Sequence, residues 1–278
     1  YCYGCGYQGN LQTLVKDIAG QSLHSFLGVG GSSGSPSKRT RKESLEHPQK
    51  RERKQRKTRQ PLEIEGTEYP LSKFDHVKNQ ARRIGITKDY LEHHDISYVR
   101  FAEVNHTQFA DRILFKVYYE GKLINVEGRD ATGDQAKKVI YPKGSTSDAL
   151  WDYDQLKFEE PLVVCEGIKD TIKIWQHVTR NVTSIFGASV TKNQHKLLYQ
   201  FNDIILFPDN DAAGFKLVSY FNDHFYLKNV TVAIAPHEGA DPADLKVNEL
   251  HKAISKRVPA IEFETASLKE DYAAAIAP

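Results

Sequence analysis

The 278-residue chain contains no Met and three Cys, and no uninterrupted apolar run approaches the roughly 20 residues a membrane-spanning helix needs. Three cysteines, two of them spaced C-x-x-C, are too few for a disulfide framework, and no signal peptide is visible at the start. The expectation is a reducing, cytoplasmic setting, in which the sequons at Asn105, Asn181 and Asn229 are chance matches. No G-x-x-x-x-G-K-[ST] run occurs, so the chain carries no motor built on that phosphate loop. Without an initiator, and opening on Tyr1 and Cys2 inside a cysteine motif, the chain is expected to be a fragment or processed product with a segment upstream.

The formal charge of +2 is unevenly spread. Residues 38–59 hold eleven Lys or Arg against three Glu, a local charge of +8, whereas the residues from 60 onward hold 26 basic against 32 acidic groups, or −6. Residues 28–37 form a Gly/Ser linker, and 38–60 have too few apolar side chains to order a core. Ahead of them, residues 1–27 read as a cysteine knuckle and a short helix with Leu11, Leu14, Val15 and Ile18 at helical spacing.

From about residue 68 the pattern becomes globular. A helix is predicted around 72–82, with Thr87 as N-cap of the next, then strands at Ile96–Val104, Ile113–Tyr119 and, after a turn at Gly121, Leu123–Val126. Beyond residue 155 strands alternate with helices, as a parallel α/β sheet requires: Pro161–Cys165, Val182–Phe186, Ile204–Phe207 and Val230–Ala235, with helices over 169–178, 191–200 and 212–225. The expected organisation is a partial ribbon (1–27), a linker (28–60), a small basic α+β subdomain (61–155), an α/β parallel-sheet core (156–260) and a C-terminal tail (261–278).

Acids stand at the ends of these strands. Glu166 follows the first in E-G-I-K-D, with Asp170 near the start of the next helix; Asp209 and Asp211 follow the third in D-N-D-A-A-G; Asp241 and Asp244 follow the fourth in D-P-A-D. Parallel strands share one C-terminal edge, so these acids converge on one crevice. Carboxylates so gathered repel unless protonated or met by a cation, and hard oxygen ligands suit magnesium or manganese and phosphoryl chemistry.

Glu166-Gly167 after a strand, with Asp209-Asn210-Asp211-Ala212-Ala213-Gly214 beginning 43 residues later, resembles the Toprim domain of DnaG-type primases, type IA and II topoisomerases and related nucleases. Cys2-Tyr-Gly-Cys5 resembles the second half of a primase zinc ribbon, and the stretch Arg112 to Arg129 resembles the basic N-terminal subdomain of the primase core. In that order they look like a phage-type or bacterial DnaG-like primase, cytoplasmic or, if phage-encoded, in the host cytoplasm. The resemblance implies a nucleotidyltransferase making short RNA primers on single-stranded DNA from ribonucleoside triphosphates, beside a separate helicase and a single-strand binding protein. It implies Glu166 as catalytic acid, acting as general base or as a metal ligand, with Asp209 and Asp211 as catalytic residues that hold magnesium or manganese, and Asp170, Asp241 and Asp244 completing the shell. Ala243 stands where the family often has an acid. Arg112, Arg129, Lys137, Lys138 and Lys143 are the implied contacts to nucleotide and DNA. Cys2 and Cys5 are then two ligands of an incomplete zinc site, since Cys165 is expected in a buried strand and His24 is isolated. A Toprim nuclease and a non-catalytic DNA-binding module tethered by the +8 segment remain open as alternatives.

Overall fold

The computed structural model describes residues 61–143 and 148–266; the expected ribbon, with Cys2 and Cys5, the linker and residues 267–278 lie outside them. No described helix is long and apolar enough to cross a membrane.

The first half builds one antiparallel sheet. Strand β1 (Glu65–Tyr69) is followed by helices α1 (Asp75–Arg83) and α2 (Lys88–His93), then β2 (Ile96–Val104), β3 (Thr107–Tyr119), β4 (Lys122–Asp130) and the short β5 (Val139–Ile140), paired in sequence order. Thr87 caps α2 as expected, its Oγ1 accepting from Tyr90 N–H at 3.3 Å. Both long hairpins turn through two residues of positive φ, Asn105-His106 and Glu120-Gly121, which suits the right-handed twist of the paired strands. Strand β3 is covered on both faces. Phe109 and Leu114 pack with Val99, Val104 and Val126, while Ile113, Phe115 and Val117 face Tyr98 and the core shared with the second half.

The second half is an α/β layer. Its strands are β6 (Leu162–Cys165), β7 (Val182–Ser184), β8 (Asp203–Leu206) and β9 (Asn229–Val232), all parallel, with β10 (Val258–Pro259) antiparallel at the edge; the order is β10-β9-β8-β6-β7. The intervening helices are α3 (Ile168–His177), α4 (Lys192–Leu198), α5 (Ala212–His224) and α6 (Val247–Ser255). From β6 the chain steps outward to β7 and then crosses back over β6 to β8, so the order reverses between β6 and β8. That is where an open α/β sheet leaves a crevice at the carboxyl ends of its strands.

Two predicted strands end early for local reasons. Phe186 adopts a φ of 60°, which takes the chain out of β7 after Ser184. Beyond β9 the chain leaves the sheet, and the Ala235 carbonyl turns to accept from Asn210 Nδ2 at 2.9 Å. The two halves share one apolar core. Tyr90 of α2 meets Trp175 of α3 edge-on at 5.2 Å, and buried His94 joins Asp152 through Nε2 at 3.2 Å.

Candidate active site

Glu166 leaves β6 with its backbone held: its carbonyl accepts from Ser184 Oγ at 2.7 Å and from Gly187 N–H at 2.9 Å. Its side-chain Oε1 accepts from Asp209 N–H at 3.3 Å, which fixes the first acid against the loop carrying the second. The β8–α5 loop is equally constrained. Asp211 is the N-cap of α5, its Oδ1 accepting from Ala213 N–H at 2.8 Å and Gly214 N–H at 2.9 Å. Asn210 donates from Nδ2 to Ala235 and from its backbone to Ala240, and accepts from Gly239 N–H. The apolar run of β8 thus delivers Asp209 and Asp211 at a pinned turn rather than on a loose loop.

Asp170 stands on the first turn of α3 and is only 4% exposed. Its two oxygens accept from Gly167 N–H and from Ala243 N–H, each at 3.2 Å, so it joins α3 to the short helical turn Pro242–Asp244. Asp241 caps that turn, accepting from Asp244 N–H at 2.8 Å. Lys169 Nζ lies 3.5 Å from Asp241 Oδ2 and 3.3 Å from Asp244 Oδ1, a cation set among the acids.

The electrostatics follow from that crowding. Burial, and then the charge of Asp209, push the Glu166 carboxyl up to about 7. Burial followed by Asp241 and Asp209 takes Asp170 to about 7, and burial followed by Asp241 and Asp211 takes Asp209 to about 6. In Asp170 and Asp209 the positive charge of Lys169 works the other way. Asp209 Oδ1 is also buried and accepts no hydrogen bond, a state that a proton or a cation relieves. An all-oxygen donor set of this kind fits magnesium or manganese and not zinc. No three of the acids among the described residues stand at ready-made ligating spacing.

The basic candidates behave differently from one another. Arg112 is 4% exposed, and its Nη1 donates to the carbonyls of Lys137 at 2.7 Å and Lys138 at 3.4 Å. It braces the β4–β5 loop from inside, which leaves it little surface for a phosphate. Arg129 Nε pairs with buried Glu127 at 2.6 Å, and Tyr141 donates to the other Glu127 oxygen. Lys137, Lys138 and Lys143 are exposed; Lys138 Nζ donates to Gly133 at 2.7 Å and lies 3.7 Å from Asp130. Lys169, Ser184 and Asn210 were not singled out from sequence, because their partners lie on other loops.

Residues 163–246 match the Toprim-like family, a segment that holds all six acids and none of the five basic candidates. The catalytic core of DnaG superposes with a TM-score of 0.59 at 17% identity, over 73% of this chain and 78% of that one. The zinc-binding and RNA polymerase domains of the Aquifex aeolicus primase superpose with the same score at 19% identity, over 74% of this chain and 61% of that one. The chain has the DnaG-type catalytic-core fold. Among curated relatives, a DNA primase of Halalkalibacterium halodurans is 22% identical over 88% of this chain and 48% of its own length. One of Clostridium acetobutylicum is 29% identical over 38% of this chain and 19% of its own length. The chain therefore spans less than half the length of these relatives. A further neighbour, the DnaG primase catalytic domain solved with single-stranded DNA, superposes at a TM-score of 0.58 and 16% identity over 73% of this chain and 79% of that one. In this DnaG-type fold the Toprim match coincides with the β6–β9 layer, and the β1–β5 sheet precedes it.

Proposed function

We propose that the chain is the catalytic part of a DNA primase, joining ribonucleotides into short RNA primers on a single-stranded DNA template. The observation that carries this reading is the Glu166–Asp209 contact at the β6–β8 switch point, inside a Toprim match and a DnaG-type fold. In the reaction, the 3′-hydroxyl oxygen of the growing primer bonds to the α-phosphorus of the incoming nucleotide. The bond between the α-phosphorus and the bridging oxygen breaks, pyrophosphate leaves, and the hydroxyl proton is taken up by a base. Glu166, raised to about 7, is the residue of this chain suited to accept that proton near neutral pH. Asp209 and Asp211, with Asp170, Asp241 and Asp244 around them, would hold magnesium or manganese, which when bound neutralises the phosphate charge. Positioning and charge neutralisation then supply most of the acceleration.

On the template side, Lys137, Lys138 and Lys143 are exposed cations on the segment ahead of the acidic layer, and Arg129 is partly exposed. They are proposed to contact the DNA backbone and the triphosphate, an interaction that weakens with salt. The proposed domain order is a partial zinc ribbon (1–27), linker (28–60), basic subdomain (61–155), Toprim core (156–260) and tail (261–278), acting in the cytoplasm with a separate helicase and single-strand binding protein.

The test is incubation of the chain with a single-stranded template, the four ribonucleoside triphosphates and magnesium. Short RNA products are expected, and Asp209→Ala and Asp211→Ala should reduce them by more than about a hundredfold, the order of effect of removing a group that stabilises transition-state charge. Shortened template in place of RNA identifies a nuclease instead, and unchanged primer yield in either variant removes the acids from the mechanism.

A further inference from the structure

A second polar cleft lies outside the carboxylate crevice, where the turn after α1 meets the outer face of α3. It has a volume of about 190 Å3 and is lined by Arg83, Lys169, Ile172, Lys173, Gln176 and His177, closed by Ile84, Gly85, Thr87 and Ala243. Residues 169, 172, 173 and 176 fall on one helical stripe, so α3 presents them together. Gln176 fastens the cleft shut at one end, its Nε2 donating to Gly85 O and to Ile172 O, each at 2.9 Å.

The charge here is of one sign. Three permanent cations and a histidine line the cleft and no carboxylate does. Among the described residues Arg83 and Lys173 form no ion pair, whereas Lys169 is shared with Asp241 and Asp244 on the far side. Lys173 is half-buried, so its charge is not simply spread into solvent. His177 is held below its ordinary range by burial, then by the positive charge of Lys173 and His251. Arg83 and Lys173, unpaired among the described residues in a concave site whose lining holds no carboxylate, attract an anion.

Size and hydrogen-bonding capacity narrow the anion. The volume is several times the ~30 Å3 share of one water but below the ~300 Å3 at which whole-ligand pockets begin, so it takes a phosphate or diphosphate group and not a nucleoside. A guanidinium and two ammonium groups match the several acceptor oxygens of such a group. The Oε1 of Gln176 is buried with no partner, and a hydrogenphosphate brings the O–H that would satisfy it.

We propose that this α1–α3 cleft is a binding site for a small inorganic phosphate anion of the pyrophosphate class, separate from the carboxylate crevice and joined to it through Lys169. Because Lys169 contacts Asp241 and Asp244 as well as the cleft, an anion there competes with those acids for its charge.

Calorimetric titration of the full chain with pyrophosphate, in EDTA so that no metal–pyrophosphate complex enters the carboxylate crevice, tests it. One equivalent should bind; the double variant Arg83→Ala/Lys173→Ala should weaken binding by about tenfold or more, the loss of charge-assisted hydrogen bonds. Asp209→Asn should bind like the parent chain, and the thermal midpoint of the double variant should match the parent. Three outcomes would overturn the proposal: no binding of pyrophosphate by the parent, equal binding by the double variant, or a double variant weakened only toward a single-stranded oligonucleotide.

Discussion

A Cβ on Gly214 would overlap the carbonyl oxygen of Asp209, and it would lie 2.9 Å from Pro208 Cβ as well. The first turn of α5 therefore packs directly on the backbone of Asp209, whose Oδ1 is buried, and only a glycine permits it. Gly214→Ala must push Asp209 away from Glu166 or tilt α5. We expect it to reduce primer synthesis at least about tenfold and to destabilise the chain by about 1–3 kcal/mol, the usual cost of overpacking. Primer assays and thermal melting of the variant measure both effects.

The raised acids set a pH dependence of defined sign. With folded values of about 7 for Glu166 and Asp170 and about 6 for Asp209, these three carboxyls are largely protonated at pH 5 and ionised at pH 8. Each proton displaced by a cation costs about tenfold in affinity per pH unit below the folded value. Manganese binding, followed by its paramagnetic resonance signal, should therefore strengthen steeply from pH 5 to 7 and level off above 7.5.

Without metal the same groups act on stability in the opposite direction. A carboxyl whose folded value is raised keeps its full contribution below the unfolded value, roughly pH 4, and loses it as pH rises through the folded value. In EDTA the parent chain should lose stability between pH 5 and 8 relative to Glu166→Gln, which keeps an acceptor for Asp209 N–H. The gap in thermal midpoint at pH 8 should be roughly 2–4 °C, against none at pH 4. A gap that stays constant with pH would show that Glu166 is not titrating in this window.

Much of the site was legible because each acid follows an apolar strand, so that E-G-x-x-D, D-x-D-x-A-G and D-P-x-D had to meet at one sheet edge. The central strands were legible for the same reason. Strand β1 was not, since Glu65 and Glu68 give an exposed edge no apolar rhythm. Arg112 reads as a surface cation in sequence, but its partners are main-chain carbonyls 25 and 26 residues further on, which no local pattern announces. Lys169 and Asn210 escaped notice in the same way: each acts on a loop reached only through the tertiary fold.

That difference between Arg112 and its basic neighbours is itself testable. Arg112→Ala removes the side-chain donor to the loop, leaving the Lys137 carbonyl without one while the Lys138 carbonyl keeps Asp130 N–H at 2.9 Å, and should cost about 1–3 kcal/mol of stability. Lys137→Ala, at an exposed side chain, should leave the thermal midpoint unchanged and lower the salt slope of single-stranded DNA binding by about 1. Melting curves alongside salt-dependent anisotropy distinguish a brace from a contact, and a melting change in Lys137→Ala would reverse the assignment.

Lys169 offers the last test, because it sits between two demands. Its charge opposes the rise of Asp170 and Asp209. Replacing it with Ala removes that opposition, so both acids should hold their protons to higher pH. The midpoint of the manganese-binding profile should then move upward by roughly half a unit to one unit, the scale of an opposite charge a few ångströms away in a partly solvated site. Lys169→Arg keeps the charge and should restore most of the parent profile. A purely structural role for the side chain predicts weaker binding at every pH with no change in midpoint, so the position of the curve and not its height decides the question.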